Sequence, residues 1–337
     1  MVRLLLKCAF ASLAVLGAAA SVTGAAAQDF YAGKTVNHYI GFGPGGGYDL
    51  YGRLFARHIG RFLPGKPTIV AQNMPGAGGL KVANFMYAVA PKDGTALATT
   101  AEGAVIEQTL GGQGVEYDAT KFNWIGMMTP SVTLFFTWHT SATKSFEDLR
   151  KRQTFFGSSG AGNTDYIPKA LNKLAGAQFK LITGYRGSAD VMLAVERGEL
   201  EGAYALWTEL KERRSNWLAE KTINPIIFIA AKRQPEYPDV PIVKEVGLTD
   251  EGRAILGLLS VGEVGRSVFT TPGVPVERVA LLRRAFGSMV ADREFLDEAR
   301  KAGLTIEPMG GEELQAMVAG VTNAPRDLVK KAEAARN

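Results

Sequence analysis

One cysteine, Cys8, and three histidines are all the chain of 337 residues contains of those types. A lone thiol near the N-terminus excludes a disulfide framework. His38, His58 and His139 lie far apart, with no acid or second histidine at ligand spacing, so they offer no metal site and read as structural or surface residues. Charge is nearly balanced. The chain carries +5 overall, and without Arg3 and Lys7 its remaining 36 basic residues outnumber the 33 acidic ones by three. That balance, with no basic run interleaved with aromatics, argues against nucleic acid and suits small anionic ligands. Low-complexity segments and solenoid periods are missing too.

What is present begins with a charge-free run from Cys8 to Ala20 behind Arg3 and Lys7, ending in Ala25-Ala26-Ala27. The run is too short to span a membrane, and the small residues fit a cleavage site, so residues 1–27 are expected to be a signal peptide that exports the chain. A lipid anchor would need a cysteine at the cleavage point, and Cys8 lies too early. Without disulfides, stability must come from a large core, which about 310 residues with 46% apolar content provide.

Glycine is plentiful, and it clusters. The stretch Val36 to Phe62 reads as a strand, the turn Gly43-Pro44-Gly45-Gly46-Gly47, and a helix with Leu50, Leu54, Phe55, Ile59 and Phe62 on one face. Such a helix begins with N–H groups that lack intrahelical partners, at the positive end of its dipole, and so favours a carboxylate or phosphate there. The unit recurs at Pro67–Asn73 with Met74-Pro75-Gly76-Ala77-Gly78-Gly79, and Gly94–Thr100 reads as a third strand. A further unit pairs the strand Gln153–Gly157 with the small-residue loop Ser158–Thr164 and a helix from Asp165 to Ala175. Consecutive strand–turn–helix units predict α/β architecture with parallel sheets whose loops face one crevice. Asn123 to Trp138 is expected to carry the chain into a second lobe.

Three motifs approach enzyme signatures and miss them. Gly41-Phe42-Gly43-Pro44-Gly45-Gly46 matches a dinucleotide fingerprint, but the second strand ends in Gln72-Asn73 where an acid is needed for the ribose. Gly33-Lys34-Thr35 precedes its strand instead of following it, and Gly157-Ser158-Ser159-Gly160-Ala161 lacks the final glycine of a nucleophile elbow. No Ser/His/Asp set or carboxylate pair can be nominated.

The motifs FGPGGGYD, NMPGAGG, APKDGTALATT, GSSGAGNTDY, YRGSADVMLAVERGELEG and PDVPIVKEVGL, in that order across the chain, resemble the tripartite tricarboxylate transporter receptors, the Bug-type or TctC-like periplasmic solute-binding proteins. The resemblance implies an α/β, two-lobed flytrap (type II-like), each lobe a mixed, mostly parallel sheet flanked by helices. Lobe 1 would take residues 28–125 and 262–337 and lobe 2 residues 126–261, the return crossover falling within 225–265. It further implies a periplasmic, monomeric receptor without cofactor that passes a small organic carboxylate to a membrane permease. By position the ligand would meet Phe42, Gly46, Gly47, Tyr48 and Asp49 in one loop and Ser158, Gly162, Asn163, Thr164 and Asp165 in the other. Asn73, Gly78, Thr100, Ala101, Tyr185, Arg186 and Tyr204 would complete the cleft.

Several residues keep two readings at this level. Tyr48, where the family more often has a small hydroxyl residue, either narrows the pocket or stacks on an aromatic or longer ligand. Asp49, an acid at an anion site, either brushes the ligand or, the favoured reading, braces the loop as a helix cap. Arg186 is either a carboxylate contact or a solvated charge, and Tyr185 and Tyr204 are ligand contacts or packed aromatics. The rival function is a secreted α/β enzyme acting on a small anionic substrate.

Overall fold

The computed structural model describes residues 30–100, 103–158, 163–185, 188–230, 232–260 and 264–336. The expected signal peptide, Ala101, Gly162 and Arg186 lie outside these residues. Eleven strands are formed among them: β1 (Thr35–Ile40), β2 (Thr68–Asn73), β3 (Ala96–Thr99), β4 (Asn123–Met127), β5 (Thr133–Trp138), β6 (Thr154–Gly157), β7 (Phe179–Ile182), β8 (Gly202–Leu206), β9 (Ile223–Ile229), β10 (Ser267–Thr270) and β11 (Met309–Gly310). They make two sheets, ordered β11-β4-β10-β3-β1-β2 and β7-β6-β8-β5-β9.

The sheets are built alike. β1 runs parallel to β2 on one side and β3 on the other, and β10, β4 and β11 continue antiparallel from β3. In the second sheet β6 runs parallel to both β7 and β8, and β5 and β9 continue antiparallel. The connections from β1 and from β6 thus diverge to opposite sides, which makes the carboxyl ends of those two strands topological switch points, where α/β sheets bind ligands. The glycine loop Gly41–Gly46 leaves β1, and Ser158 leaves β6.

Strand periodicity distributes the core of the first sheet. Val36, Leu97, Ile125 and Val268 face the helices Gly47–Ile59, Val276–Val290 and Arg293–Lys301 in one cluster, while Ala96, Ala98, Trp124 and Phe269 face the other. Helix Gly47–Ile59 buries Tyr51, Leu54, Phe55, His58 and Ile59, a stripe at helical spacing, and carries Asp49 in its first turn and Arg57 in its last. Burial of Trp124 and Phe269, each about 1.5–3 kcal/mol or more on apolar area, supplies the stabilisation that cysteine does not.

The chain passes between the sheets at Met128–Val132, on the way from β4 to β5, and again between β9 and β10. The two crossings touch. Arg266 N–H donates to Thr129 O (2.9 Å) and Met128 N–H to Arg266 O (3.0 Å). Gly265 makes that approach possible: its φ is +25°, and a Cβ there would lie 2.1 Å from Thr129 O. The final helix, Arg326–Arg336, departs from the expected first lobe and packs on helices Asn163–Ala175 and Asp250–Leu259 beside the second sheet. Among the described residues no helix is long and apolar enough to cross a membrane.

Candidate functional site

The loop after β1 is held by a network centred on Asp49, which is 3% exposed. Its carboxylate accepts the Gly45 N–H (2.9 Å), the Arg53 Nε–H (2.9 Å) and the Asn73 amide (2.7 Å). Asn73, at the end of β2, also donates to Phe42 O (2.9 Å) and accepts from Arg53 Nη2 (2.7 Å). Burial alone would raise the Asp49 pKa, but the bonds from Arg53, Gly45 and Asn73 outweigh it and hold the carboxyl below its ordinary range. Asp49 is therefore a brace within the loop. Gly45 has φ +83°, a conformation that favours glycine, and a Cβ at Gly43, Gly45 or Gly46 would meet nothing within 4 Å, so the loop backbone borders open space. The N–H groups of Gly47, Tyr48 and Asp49 precede the first helical hydrogen bond, Leu50 N–H to Gly46 O (3.0 Å).

After β6 the described residues show a related contact. Ser158 is fully buried and donates to Asp165 (3.3 Å), in the first turn of helix Asn163–Ala175, and Asp165 pairs with Lys169 one turn on (2.7 Å). Asp49–Arg53 and Asp165–Lys169 share the same i,i+4 spacing behind a small-residue loop.

The other expected residues divide. Thr100 is buried and donates to Gly79 O (2.9 Å), tying the ends of β3 and of the second turn together. Gly78 (φ +62°) borders open space. Thr164 and Tyr185 are partly buried, the latter against the core. Tyr204 is 8% exposed with its ring 5.9 Å from Phe135, so its ring packs in the core.

Tyr48 has two partners that neither reading of it named. Its ring stacks on Phe42 with centroids 4.1 Å apart and planes at 11°, and the Arg266 guanidinium lies over the same ring, 3.9 Å from its centroid. A ring covered by Phe42 on one face admits the guanidinium only on the other, so both faces of Tyr48 are occupied. Arg266 is 6% exposed, donates to Ser131 Oγ (3.2 Å) and has Nη2 3.4 Å from where a Gly47 Cβ would stand. A desolvated stack of this kind is worth about 2 kcal/mol.

Arg266 also lines a cavity of about 160 Å³ together with Gly47, Tyr51, Leu206, Glu209 and Leu304, residues drawn from both sheets' units. Sequence reasoning missed Arg266 and Arg53. The second was signalled by the Asp-x-x-x-Arg spacing; the first, 218 residues from Tyr48, had no local signal. His38 is fully buried between Gly52 O (3.1 Å) and Thr99 Oγ1 (2.9 Å), as the structural reading expected. Because the Gly52 carbonyl can only accept, Nδ1 carries the proton and Nε2 accepts from Thr99. Among the described residues no group of His, Cys, Asp and Glu could hold a metal.

No protein-family model matches the chain. It is 28% identical over 255 residues, 71% of its length and 72% of the relative's, to a UPF0065 protein of the gbd 5′ region of Cupriavidus necator. A TctC solute-binding protein from Polaromonas superposes with a TM-score of 0.68 at 19% identity, covering 89% of this chain and 99% of that one. A Rhodopseudomonas palustris protein solved with adipate superposes with a TM-score of 0.62 at 20% identity, covering 89% and 97%. The chain has the two-lobed fold of the TctC-type periplasmic solute-binding proteins.

Proposed function

We propose that this protein is an exported receptor that captures a small organic carboxylate between its two lobes and delivers it to a tripartite tricarboxylate-type membrane permease. One observation carries the reading. At both switch points a small-residue loop leads into a helix, and a first-turn aspartate, Asp49 or Asp165, is turned back on the loop rather than outward. An acid spent on bracing leaves first-turn amides as the groups that meet the ligand, and those amides favour an anion. The adipate-bound neighbour of the same fold supports the same class of ligand.

In this reading the backbone amides of Gly46 to Asp49 and of Gly162 to Thr164, with the hydroxyl of Thr164, hold one carboxylate, the Ser158 hydroxyl being turned to Asp165 instead, and Arg186 is a candidate for its distal part. The lobes divide at the paired crossings, so that the expected lobes, residues 28–125 with 262–337 and residues 126–261, hold once the first boundary is moved past β4 to Met128–Val132, with the last helix strapped across to the second. Closure about those crossings buries the ligand without covalent chemistry. A signal peptide over residues 1–27 places the receptor, as a monomer, in the periplasm.

A thermal-shift panel of mono-, di-, tri- and aromatic carboxylates tests it. At least one is expected to raise Tm in a concentration-dependent way. A panel in which only sugars, amino acids or cations do so overturns the reading, and turnover of an ester or of a nicotinamide cofactor would favour a secreted enzyme instead.

A further inference from the structure

We propose that a cavity behind the paired crossings is the device that holds the receptor open until a ligand arrives. The proposal rests on the reading that the lobes close about those crossings, and it names what closure works against. The crossings join β4 to β5 and β9 to β10, and β1 and β6, whose loops line the cleft, both lie to one side of them in the strand order. On the other side, beside β11 and the edge strand β9, is a cavity of about 340 Å³.

Its walls belong to different lobes. Met309 pairs with Met127 across β11 and β4, and Glu307 N–H donates to Met128 O (2.9 Å), so this wall moves with the first sheet. Val132 O accepts the Trp207 N–H (2.8 Å), and Ala230 directly follows β9, with Gln234 in the same connection, so the facing wall moves with the second. Rotation that brings the loops after β1 and β6 together moves these two walls apart, because they lie beyond the pivot. Met127 and Ala230 are buried and Val132 and Met309 half-buried, so parting the walls carries apolar side chains into water, at a cost that grows with the area exposed. Without ligand that cost favours the open form. The apparent affinity is then the intrinsic affinity reduced by the fraction of molecules that are closed. Residues that touch no ligand thus set how tightly it binds. A wedge that props the walls apart favours closure and tightens binding; a link that holds them together weakens it.

The experiment titrates adipate, or a carboxylate identified by the thermal-shift panel in its place, into four proteins by calorimetry: the wild type, Ala230→Leu, Met309→Trp, and a double variant Gln234→Cys with Glu307→Cys. Small-angle X-ray scattering follows each without ligand. The chain's single cysteine, Cys8, lies in the expected signal peptide, so the exported double variant carries only the two introduced thiols. Each wedge, Ala230→Leu or Met309→Trp, is expected to tighten binding at least threefold and to reduce the ligand-free radius of gyration. A short bis-methanethiosulfonate linker between the two thiols is expected to weaken binding at least tenfold, and dithiothreitol, which removes it, to restore the unlinked affinity. Folded wedge variants that bind within twofold of wild type, or more weakly, overturn the proposal and leave the receptor reading standing, as does a linked protein within twofold of its unlinked form. If the wedges do not fold, the linked variant decides, since Glu307 is exposed and Gln234 half-buried. A wild type that binds no member of the carboxylate panel overturns the receptor reading itself; an unchanged radius of gyration in the wedge variants then overturns the device as well.

Discussion

Asp49 shows how a residue's role follows from its partners more than from its charge. Alone beside a helix N-terminus it would compete with an anionic ligand; bonded to Gly45, Arg53 and Asn73 it becomes part of the scaffold that shapes the loop. Asp49→Ala leaves the Arg53 guanidinium and a loop N–H without their acceptor, so it should cost about 1–3 kcal/mol in denaturant unfolding and also weaken adipate; an unchanged midpoint and affinity would contradict the brace. Asparagine at position 49 should recover part of the loss. His38 makes a pH prediction. Burial, opposed only in part by the Gly52 carbonyl, lowers its pKa from 6.5 to about 4. The unfolded chain therefore takes up a proton that the folded chain refuses. Its contribution is complete above pH 6.5 and is lost as pH falls toward 4, at about 1.4 kcal/mol per pH unit. Denaturation midpoints across that window should fall less steeply in His38→Gln; equal slopes would contradict the assignment. Asp49, with its lowered pKa, acts in the same direction at lower pH: its stabilisation is present above the ordinary carboxylate range and lost as pH drops through the folded value.

At the scale of elements, local pattern carried far. The sequence-based strands at Pro67–Asn73 and Gln153–Gly157 match β2 and β6 within a residue. The apolar stretch Asn123–Trp138 did carry the chain between sheets, but as two strands joined by the crossing Met128–Val132. What stayed illegible was non-local. Nothing near Arg266 in the chain marks it as a partner of Tyr48, because their meeting depends on how the crossings pair. Tyr204 sits on a strand whose neighbours bury it, a fact set by sheet order rather than by its own flanks. The pairing itself hangs on Gly265. Gly265→Ala places a Cβ against Thr129 O in the left-handed region, so it should destabilise the protein by about 2–4 kcal/mol and displace Arg266. A variant with wild-type Tm and wild-type adipate affinity would show that the crossings are not held this closely.

For the whole molecule, two sheets of like topology place Asp49 and Asp165 at corresponding positions beyond their switch-point strands, and paired crossings with a C-terminal helix join the units. That helix buries Ala332 and Ala335 and pairs Lys331 with Glu251, so a chain ending at Pro325 should unfold at lower temperature than the full one. An equal Tm would make the helix dispensable. The central claim concerns charge in the cleft, and one titration reaches it most directly: adipate against its neutral diamide, which keeps the carbon skeleton and the hydrogen-bonding carbonyls but carries no charge. Adipate, or a carboxylate identified by the thermal-shift panel in its place, is expected to raise Tm and bind at least a hundredfold tighter than its diamide. Equal binding of the two, or binding of the diamide alone, would contradict a receptor for carboxylate anions.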